Sequence, residues 1–258
     1  MLARAGKTFV WITIALCACA TLAIFARVPI AYGATESEDK MIADSLAAML
    51  RAGRTVISKS QQQINNPDIA DKGLDGKTVL GQALKIYQET TNSDPTKIDP
   101  SSRQGRLLHI QMDAIVEVMD ANQKTINQRG VGFKGFIPAT FARLVNESFG
   151  KNAANDAEVK VTAPIDLVRN RKARPDAWEA EVIRDKLLAA NWPKGQLFAT
   201  VADSKGRQAF RVAVPEYYAA SCLSCHGGPK GQIDITGYPK EGAKEGDLSG
   251  VISITLYR

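Results

Sequence analysis

Cysteine and histidine are scarce in this chain of 258 residues, which contains four cysteines and two histidines. Cys17 and Cys19 lie in an apolar stretch near the N-terminus, where a small hydrophobic residue is the default interpretation. Only Cys222 and Cys225 remain in the rest of the chain. Because one close pair cannot cross-link a domain of this size, a disulfide-based fold is excluded.

The chain also lacks a strong charge of one sign. Its formal net charge is +6, and Arg4, Lys7 and Arg27 contribute three positive charges to the first 34 residues, which contain no acid. Removing these three charges leaves about +3. No basic stripe with interleaved aromatic residues is present, so the sequence predicts no nucleic-acid partner.

Residues 1–34 have the pattern of an export signal. A positively charged start precedes an uncharged apolar stretch from Phe9 to Ala26, and Ala31-Tyr32-Gly33 offers small residues for a signal peptidase. An uncleaved anchor is the second interpretation, because the stretch nearly reaches the ~20 residues that span a bilayer. A lipoprotein box at Leu16–Cys19 is the third. All three predict a periplasmic protein, and membrane attachment is expected only if the segment is retained.

Apolar periodicity predicts that residues 35–130 form a helical N-terminal half. A sustained stripe of Leu108, Met112, Ile115 and Met119 supports the longest of its later helices. The predicted helices cover Ser37–Asn65, Lys77–Glu89 and Leu107–Asn127, with a loop at 92–105.

The pattern changes in residues 131–258, where a short helix begins at Pro138 and strand patterns follow. Gly206 marks the turn of a predicted β-hairpin. The predicted strands are Glu158–Thr162, Leu197–Ala202, Gln208–Val214 and Val251–Tyr257. The expected fold class is therefore α+β, with a small antiparallel sheet preceded by long N-terminal helices. No internal repeat is visible, and no output module for signalling is expected.

The chemistry-bearing motif is Cys222-Leu-Ser-Cys225-His226, between the predicted hairpin and the last strand. Cys-x-x-Cys-His is the attachment signature of c-type haem. Its two thiols form thioethers with the two vinyl groups, and the adjacent histidine is directed at the iron. We therefore expect one covalent haem c, with His226 as the metal ligand. A redox-active dithiol and a zinc site are the alternatives, although the first lacks a βαβ pattern and the second lacks further ligands.

Two further features surround the motif. The glycine-rich segment 227–250 has two interpretations of equal weight, a strap that passes close to the macrocycle and an ordinary surface loop. The basic loop at 169–174 offers Arg169 and Arg171 as hypothetical partners of the haem propionates. A solvated loop is the default interpretation of that run.

The sequence does not identify the sixth iron ligand. Met112 and Met119 fit an apolar stripe and are predicted to belong to the core, whereas His109 lies beside that stripe. Water or an empty position is equally compatible with the sequence. The candidate side chains are His109, Met112, Met119, Met41 and Met49.

Four segments together resemble the c-type-haem, PAS-like domain of unknown function, found in bacterial periplasmic proteins and at the sensing ends of histidine kinases and chemoreceptors. The resemblance covers residues 45–258. The segments are Gly132–Arg143, Val168–Glu179, Cys222–Pro229 and Gly242–Ile254. The resemblance implies a PAS-like antiparallel sheet with haem held against it.

Members of that family can supply a distal Cys or Met from the N-terminal helix. The first helix here has Ser58 and Ser60 where a cysteine would be expected, so no thiolate ligand is predicted.

Three classes of function follow from these features. The first is a haem protein that senses redox state or a diatomic gas, with a signalling partner. The alternative is a periplasmic single-haem electron carrier with a redox partner. No enzyme is predicted, because no distal His–Arg arrangement is visible, although weak peroxidase-type activity stays open. The helical half is also a candidate surface for a homodimer, with a structural haem.

Overall fold

Six helices form the first part of the structure described by the computed structural model, which covers the backbone from Val28 and the side chains from Thr35. The charged start and apolar stretch of the predicted leader lie outside the described residues. The helices are α1 (Val28–Lys59), α2 (Gln61–Ile64), α3 (Gly76–Thr91), α4 (Arg103–Ala121), α5 (Gln123–Ile126) and α6 (Pro138–Asn152).

The helix boundaries follow capping residues. Asp75 accepts a hydrogen bond from the Thr78 amide at the start of α3, and Ser102 accepts one from the Gly105 amide at the start of α4. The Ser102 cap places the start of α4 four residues before the predicted Leu107. The predicted helix Ser37–Asn65 is two helices, because the chain breaks at Ser60.

Four antiparallel strands form one sheet, and they are β1 (Ala157–Thr162), β2 (Phe198–Ser204), β3 (Arg207–Tyr217) and β4 (Leu248–Tyr257). Their order in the sheet is β1-β4-β3-β2. The hairpin predicted around Gly206 is present, and β4 pairs with both β1 and β3. The prediction of a mixed fold with N-terminal helices and an antiparallel sheet is confirmed.

One face of the sheet packs against the helices. Alternate residues of β4, namely Ile252, Ile254 and Leu256, are fully buried in the same apolar cluster as residues of α1, α3, α4 and α6. This alternation is the period-2 pattern of a strand whose one face is covered. The sheet is therefore anchored on a helical layer, and the connection between its two inner strands, β3 and β4, is free to carry the motif.

The second face of the sheet is partly covered by α7 (Ala177–Val182) and a short π-helical segment, Ile183–Leu187. Val182, Ile183 and Leu187 pack there with Ala213 and Val251. Beside them lies a cavity of about 540 Å³. Its lining includes Lys160, Trp178, Arg211, Ser253 and Thr255.

No helix in the described part of the chain is both long and apolar enough to cross a membrane.

Candidate functional site

The motif Cys222–His226 lies on the long connection between β3 and β4. A 3₁₀ turn, Ala220–Cys222, leads into the one-turn helix α8 (Leu223–His226). Residues three apart on a helical turn lie on the same side, so this geometry presents Cys222 and Cys225 together. Both are free thiols and both are half-buried.

The imidazole of His226 is oriented by a carboxylate. Its Nδ1 lies 2.9 Å from Oε2 of Glu241. Because a carboxylate only accepts hydrogen bonds, this contact assigns the proton to Nδ1 and leaves Nε2 as the free nitrogen. The ring also packs against Tyr218, with 5.1 Å between the ring centroids.

Glu241 is held in turn by Arg169. The Arg169 guanidinium donates from Nε and Nη2 to the two carboxylate oxygens, at 2.8 and 3.0 Å. It also donates to Asp234 at 2.6 Å and to the main-chain carbonyl of Cys225 at 3.0 Å. One arginine therefore links Glu241, Asp234 and the main chain of the motif.

Burial and hydrogen bonding act in opposite directions on the two carboxyls. Burial would raise the pKa of Asp234, but hydrogen bonds from Thr236 and Arg169 bring it well below its ordinary value. Burial would likewise raise the pKa of Glu241, and the hydrogen bond from Arg169 brings it below its ordinary value. Burial, followed by the nearby charge of Glu241, raises the pKa of Tyr218 to about 12. The site at neutral pH thus has two carboxylates, one guanidinium and a neutral phenol.

The segment after the motif folds back on itself. Main-chain hydrogen bonds join Gly231 to Lys240 and Asp234 to Tyr238. Gly227, directly after His226, needs to be glycine, because a Cβ atom there would lie 2.6 Å from the carbonyl oxygen of Leu223. The glycine-rich segment is therefore an ordered hairpin beside the motif.

The structure places Arg169 next to the motif but engages its donors with protein partners. All five N–H groups of its guanidinium have acceptors, on Glu241, Asp234, Thr236 and Cys225. Arg171 lies in the 3₁₀ turn Arg171–Ala173 and is exposed. That either arginine binds a haem propionate stays a prediction. For Arg169, such binding would require the guanidinium to give up some of its present hydrogen-bond partners.

Three of the candidate sixth ligands lie inside the helical core. Met49 and Met119 are fully buried and Met112 nearly so, all in the main apolar cluster. His109 is half-buried, and its Nδ1 contacts the Gly105 carbonyl of its own helix at 2.7 Å. The interpretation of Met112 and Met119 as core residues is confirmed.

Met41 lies at the end of the sheet away from the motif. Its side chain is exposed. It lies two residues after Asp39, whose carboxylate accepts a hydrogen bond from Arg103. Arg103 also donates to the Tyr257 carbonyl at the end of β4. The motif follows β3, whose last residue, Tyr217, pairs with the start of β4. Along a strand rising about 3.3 Å per residue, these two ends are roughly 30 Å apart.

Helix α1 approaches the motif end of the sheet at a different place. Arg51 and Arg54 contact the carboxylate of Glu216 at 2.5 and 2.6 Å. Glu216 is the penultimate residue of β3. Nε of Arg54 is buried without a hydrogen-bond partner among the described residues. A donor on the N-terminal helix is therefore left unused near the strand that leads to Cys222.

A family model matches residues 33–256 of this chain. The chain belongs to the Tll0287-like family. No curated protein and no solved structure matches it. The match covers α2–α8, strands β1–β3, the motif, β4 except Tyr257, and nearly all of α1. The family assignment therefore applies to nearly the whole described fold.

Sequence reasoning did not identify several site residues of this Tll0287-like chain. Glu241 lies 15 residues after His226, and Asp234 and Glu216 carry no local motif. The only available signal was the hydrophilic run after Cys-x-x-Cys-His, whose pairing with Arg169 depends on how the hairpin folds. Within residues 35–258, no three His, Cys, Asp or Glu side chains are grouped as a metal site.

Proposed function

We propose that this Tll0287-like chain is an exported c-type haem protein, with one haem attached covalently to Cys222 and Cys225 and its iron bound by His226. We further propose that it senses redox state or a diatomic gas. One observation above all supports the proposal. Two free thiols lie one helical turn apart, next to a histidine whose Nδ1 is hydrogen-bonded to Glu241.

The donor set fits the cofactor. Thioether formation needs two unpaired thiols, and both cysteines are free and reachable from the surface. Proximal ligation needs an imidazole with one nitrogen free and the other hydrogen-bonded, which is the arrangement of His226 and Glu241. When bound, haem would supply reversible one-electron chemistry and a site for diatomic ligands.

The residues of the chain have separable tasks in this proposal. Cys222 and Cys225 bind, His226 coordinates, Glu241 orients the imidazole, and Arg169 fixes Glu241 to the Cys225 carbonyl. The export signal that the sequence predicts in residues 1–34 supports the proposal, because covalent attachment of this kind occurs outside the cytoplasm. The antiparallel sheet beside the N-terminal helices is compatible with the PAS-like arrangement that the resemblance implies.

A sensing role is supported by the location of the candidate distal ligands. Met49, Met112 and Met119 pack in the core, and Met41 lies at the other end of the sheet. His109 is half-buried and uses Nδ1 for a contact with the Gly105 carbonyl of its own helix. These positions favour a sixth coordination site that water or a gas can occupy. Without a strong internal ligand, the iron would respond to its surroundings.

An electron-carrier role is the second candidate, and one observation favours it. Ile233, Ile235 and Tyr238 are exposed on the hairpin that follows the motif. Exposed apolar side chains beside a redox centre are suited to short-lived docking of a partner protein.

The deciding experiment is an absorption spectrum of the protein exported with a c-type maturation system, taken oxidised, reduced and reduced with CO. The proposal predicts a haem that stays with the polypeptide in acid acetone and a pyridine haemochrome with two thioether bonds. Sensing predicts a rapid shift of the ferrous bands on adding CO.

The matched control is Cys222→Ser with Cys225→Ser, which removes both thioethers and leaves His226 in place. Haem that remains covalently attached in that variant, or is absent from the exported wild type, would refute haem attachment at this motif. If CO leaves the ferrous bands unchanged and the haem exchanges electrons rapidly with a small redox protein, the result would refute gas sensing and support the electron-carrier role.

A further inference from the structure

We infer that Glu241 is a positioning residue that sets the donor strength of His226 toward haem iron and so lowers the midpoint potential, with Arg169 limiting the effect. This inference rests on the proposed function and goes beyond it, because it assigns the control of the iron to a carboxylate 15 residues after the motif.

The first step concerns the acceptor. A neutral main-chain carbonyl would polarise Nδ1–H only modestly, whereas the acceptor here is a carboxylate at 2.9 Å. A hydrogen bond from an imidazole to an anionic acceptor raises the basicity of the ligand and gives it partial imidazolate character. A more electron-rich imidazole at the iron stabilises the ferric state over the ferrous state.

The second step concerns how the carboxylate is fixed. Glu241 receives two hydrogen bonds from Arg169, and its side chain is 15% exposed. These two hydrogen bonds prevent rotation of the carboxylate away from His226, and they also draw negative charge from its oxygens. Arg169 therefore preserves the geometry and weakens the acceptor at the same time.

The third step concerns the anchor of Arg169. Asp234 has no exposed side-chain surface and contacts Arg169 at 2.6 Å. Hydrogen bonds from Thr236 and Tyr238 amides hold that carboxylate in the hairpin. The chain of contacts runs from the hairpin through Arg169 to Glu241 and His226, so the site is preorganised by the fold rather than by haem alone.

The test compares Glu241→Gln with Glu245→Gln in the haem-loaded protein. Glutamine keeps the shape of the side chain and can still accept from Nδ1–H, but without the negative charge. Glu245→Gln removes the same charge from an exposed side chain of the same segment. The readouts are the midpoint potential and a signature of the iron–histidine bond. That signature is the Fe–His stretching band of a five-coordinate ferrous haem, or the electron paramagnetic resonance g values of a low-spin ferric haem.

We expect Glu241→Gln to raise the ferrous-to-ferric ratio at a fixed applied potential by at least threefold. A tenfold change corresponds to 59 mV for a one-electron couple. The Fe–His band should move to lower frequency, or the g values should shift away from imidazolate character. Glu245→Gln should leave the bond signature unchanged and the potential nearly so.

A second variant keeps the inference testable if Glu241→Gln fails to mature. Arg169→Lys retains the charge but cannot donate in the two-pronged geometry, so Glu241 becomes the stronger acceptor and the potential should fall. Wild-type and variant haem with the same potential and the same bond signature would overturn the inference while leaving haem attachment intact. Wild type without covalent haem would instead overturn the proposed function itself.

Discussion

Arg103 joins parts of the chain that are distant in sequence. Its guanidinium contacts Asp39 on α1 at 3.1 Å, the Asp156 carboxylate before β1 at 2.8 Å, and the Tyr257 carbonyl at the end of β4 at 2.8 Å. The side chain of Arg106, one turn later, donates to the Asp156 carboxylate at 2.7 Å. The two arginines are therefore a natural pair for separating a buried network from a surface ion pair.

We expect Arg103→Met to lower the free energy of unfolding by about 2–3 kcal/mol. The substitution leaves the main-chain carbonyls of Asp156 and Tyr257 and the nearly buried carboxylate of Asp39 short of a donor. The same substitution at Arg106, whose side chain is 51% exposed, should lower the free energy of unfolding by less than about 1 kcal/mol. Urea unfolding of the two variants at pH 7 measures the difference. Equal losses would contradict the central role of Arg103.

The same network predicts how the stability of the protein changes with pH. Burial would raise the pKa of Asp156, but hydrogen bonds from Arg106 and Arg103 bring it below its ordinary value. A carboxyl with a lowered pKa in the folded state stabilises the protein above about pH 4 and loses that contribution as pH falls. The difference in stability between wild type and Asp156→Asn should therefore be present at pH 7 and shrink as the pH falls below about 4. A gap that stays constant would show that the charge of Asp156 is irrelevant.

At the scale of elements, α7 is held on the second face of the sheet by charged contacts. Glu179 on α7 is 3% exposed and accepts from Lys160 on β1 at 2.6 Å and from the Asp176 amide at 2.8 Å. Asp176 caps the helix and accepts from Arg211 of β3 at 2.6 Å. A helix of six residues has little stability of its own, so these contacts decide whether it stays in place.

We expect Glu179→Ala to release α7 locally, because it leaves Lys160 without a carboxylate and the Asp176 amide without its acceptor. It also removes the 3.7 Å ion pair of Glu179 with the nearly buried Arg211, which then keeps only its contact with Asp176. Amide hydrogen exchange over residues 178–188 should accelerate by roughly tenfold or more, since each factor of ten corresponds to ~1.4 kcal/mol. Exposed Glu181 on the same helix provides the control, and Glu181→Ala should leave exchange there unchanged. Acceleration across β4 as well would mean that the effect is global and not confined to α7.

The elements show what the sequence could predict. Amphipathic helices and the hairpin at Gly206 are local patterns, and most of their boundaries were predicted to within a few residues. The start of α1 is the exception, because the helix begins at Val28, nine residues before the predicted Ser37. The start of α4 was missed because the Ser102 cap looked like part of a loop. The alternation in β4 correctly predicted Ile252, Ile254 and Leu256 on one face. It could not predict that Ser253 and Thr255, on the other face, are buried beside α7, since that depends on packing between distant segments.

At the scale of the whole molecule, the residues of the main apolar core are distinct from those of the connection between β3 and β4, which carries the motif. The main apolar cluster contains helix residues and the inner residues of β1, β3 and β4, with none from residues 218–247 in its buried set. The motif was visible in the sequence because its chemistry needs a fixed local spacing. The partners of His226 were not, because Arg169, Asp234 and Glu241 converge only when β3, the hairpin and β4 are in place.

This separation predicts that haem attachment is not required for the fold. Cys222→Ser with Cys225→Ser should keep the far-ultraviolet circular dichroism and a cooperative urea transition within about 1 kcal/mol of haem-loaded wild type, because the substitution touches no residue of the core. The segment 219–247 should instead become the preferred site of limited proteolysis, since haem no longer joins its two thiols to His226. Wild type produced in the cytoplasm, with both thiols but without attached haem, is the matched control and should behave like the double variant. Loss of the cooperative transition in both haem-free forms would show that the cofactor is part of the core, and that the helical layer and sheet cannot hold the fold without it.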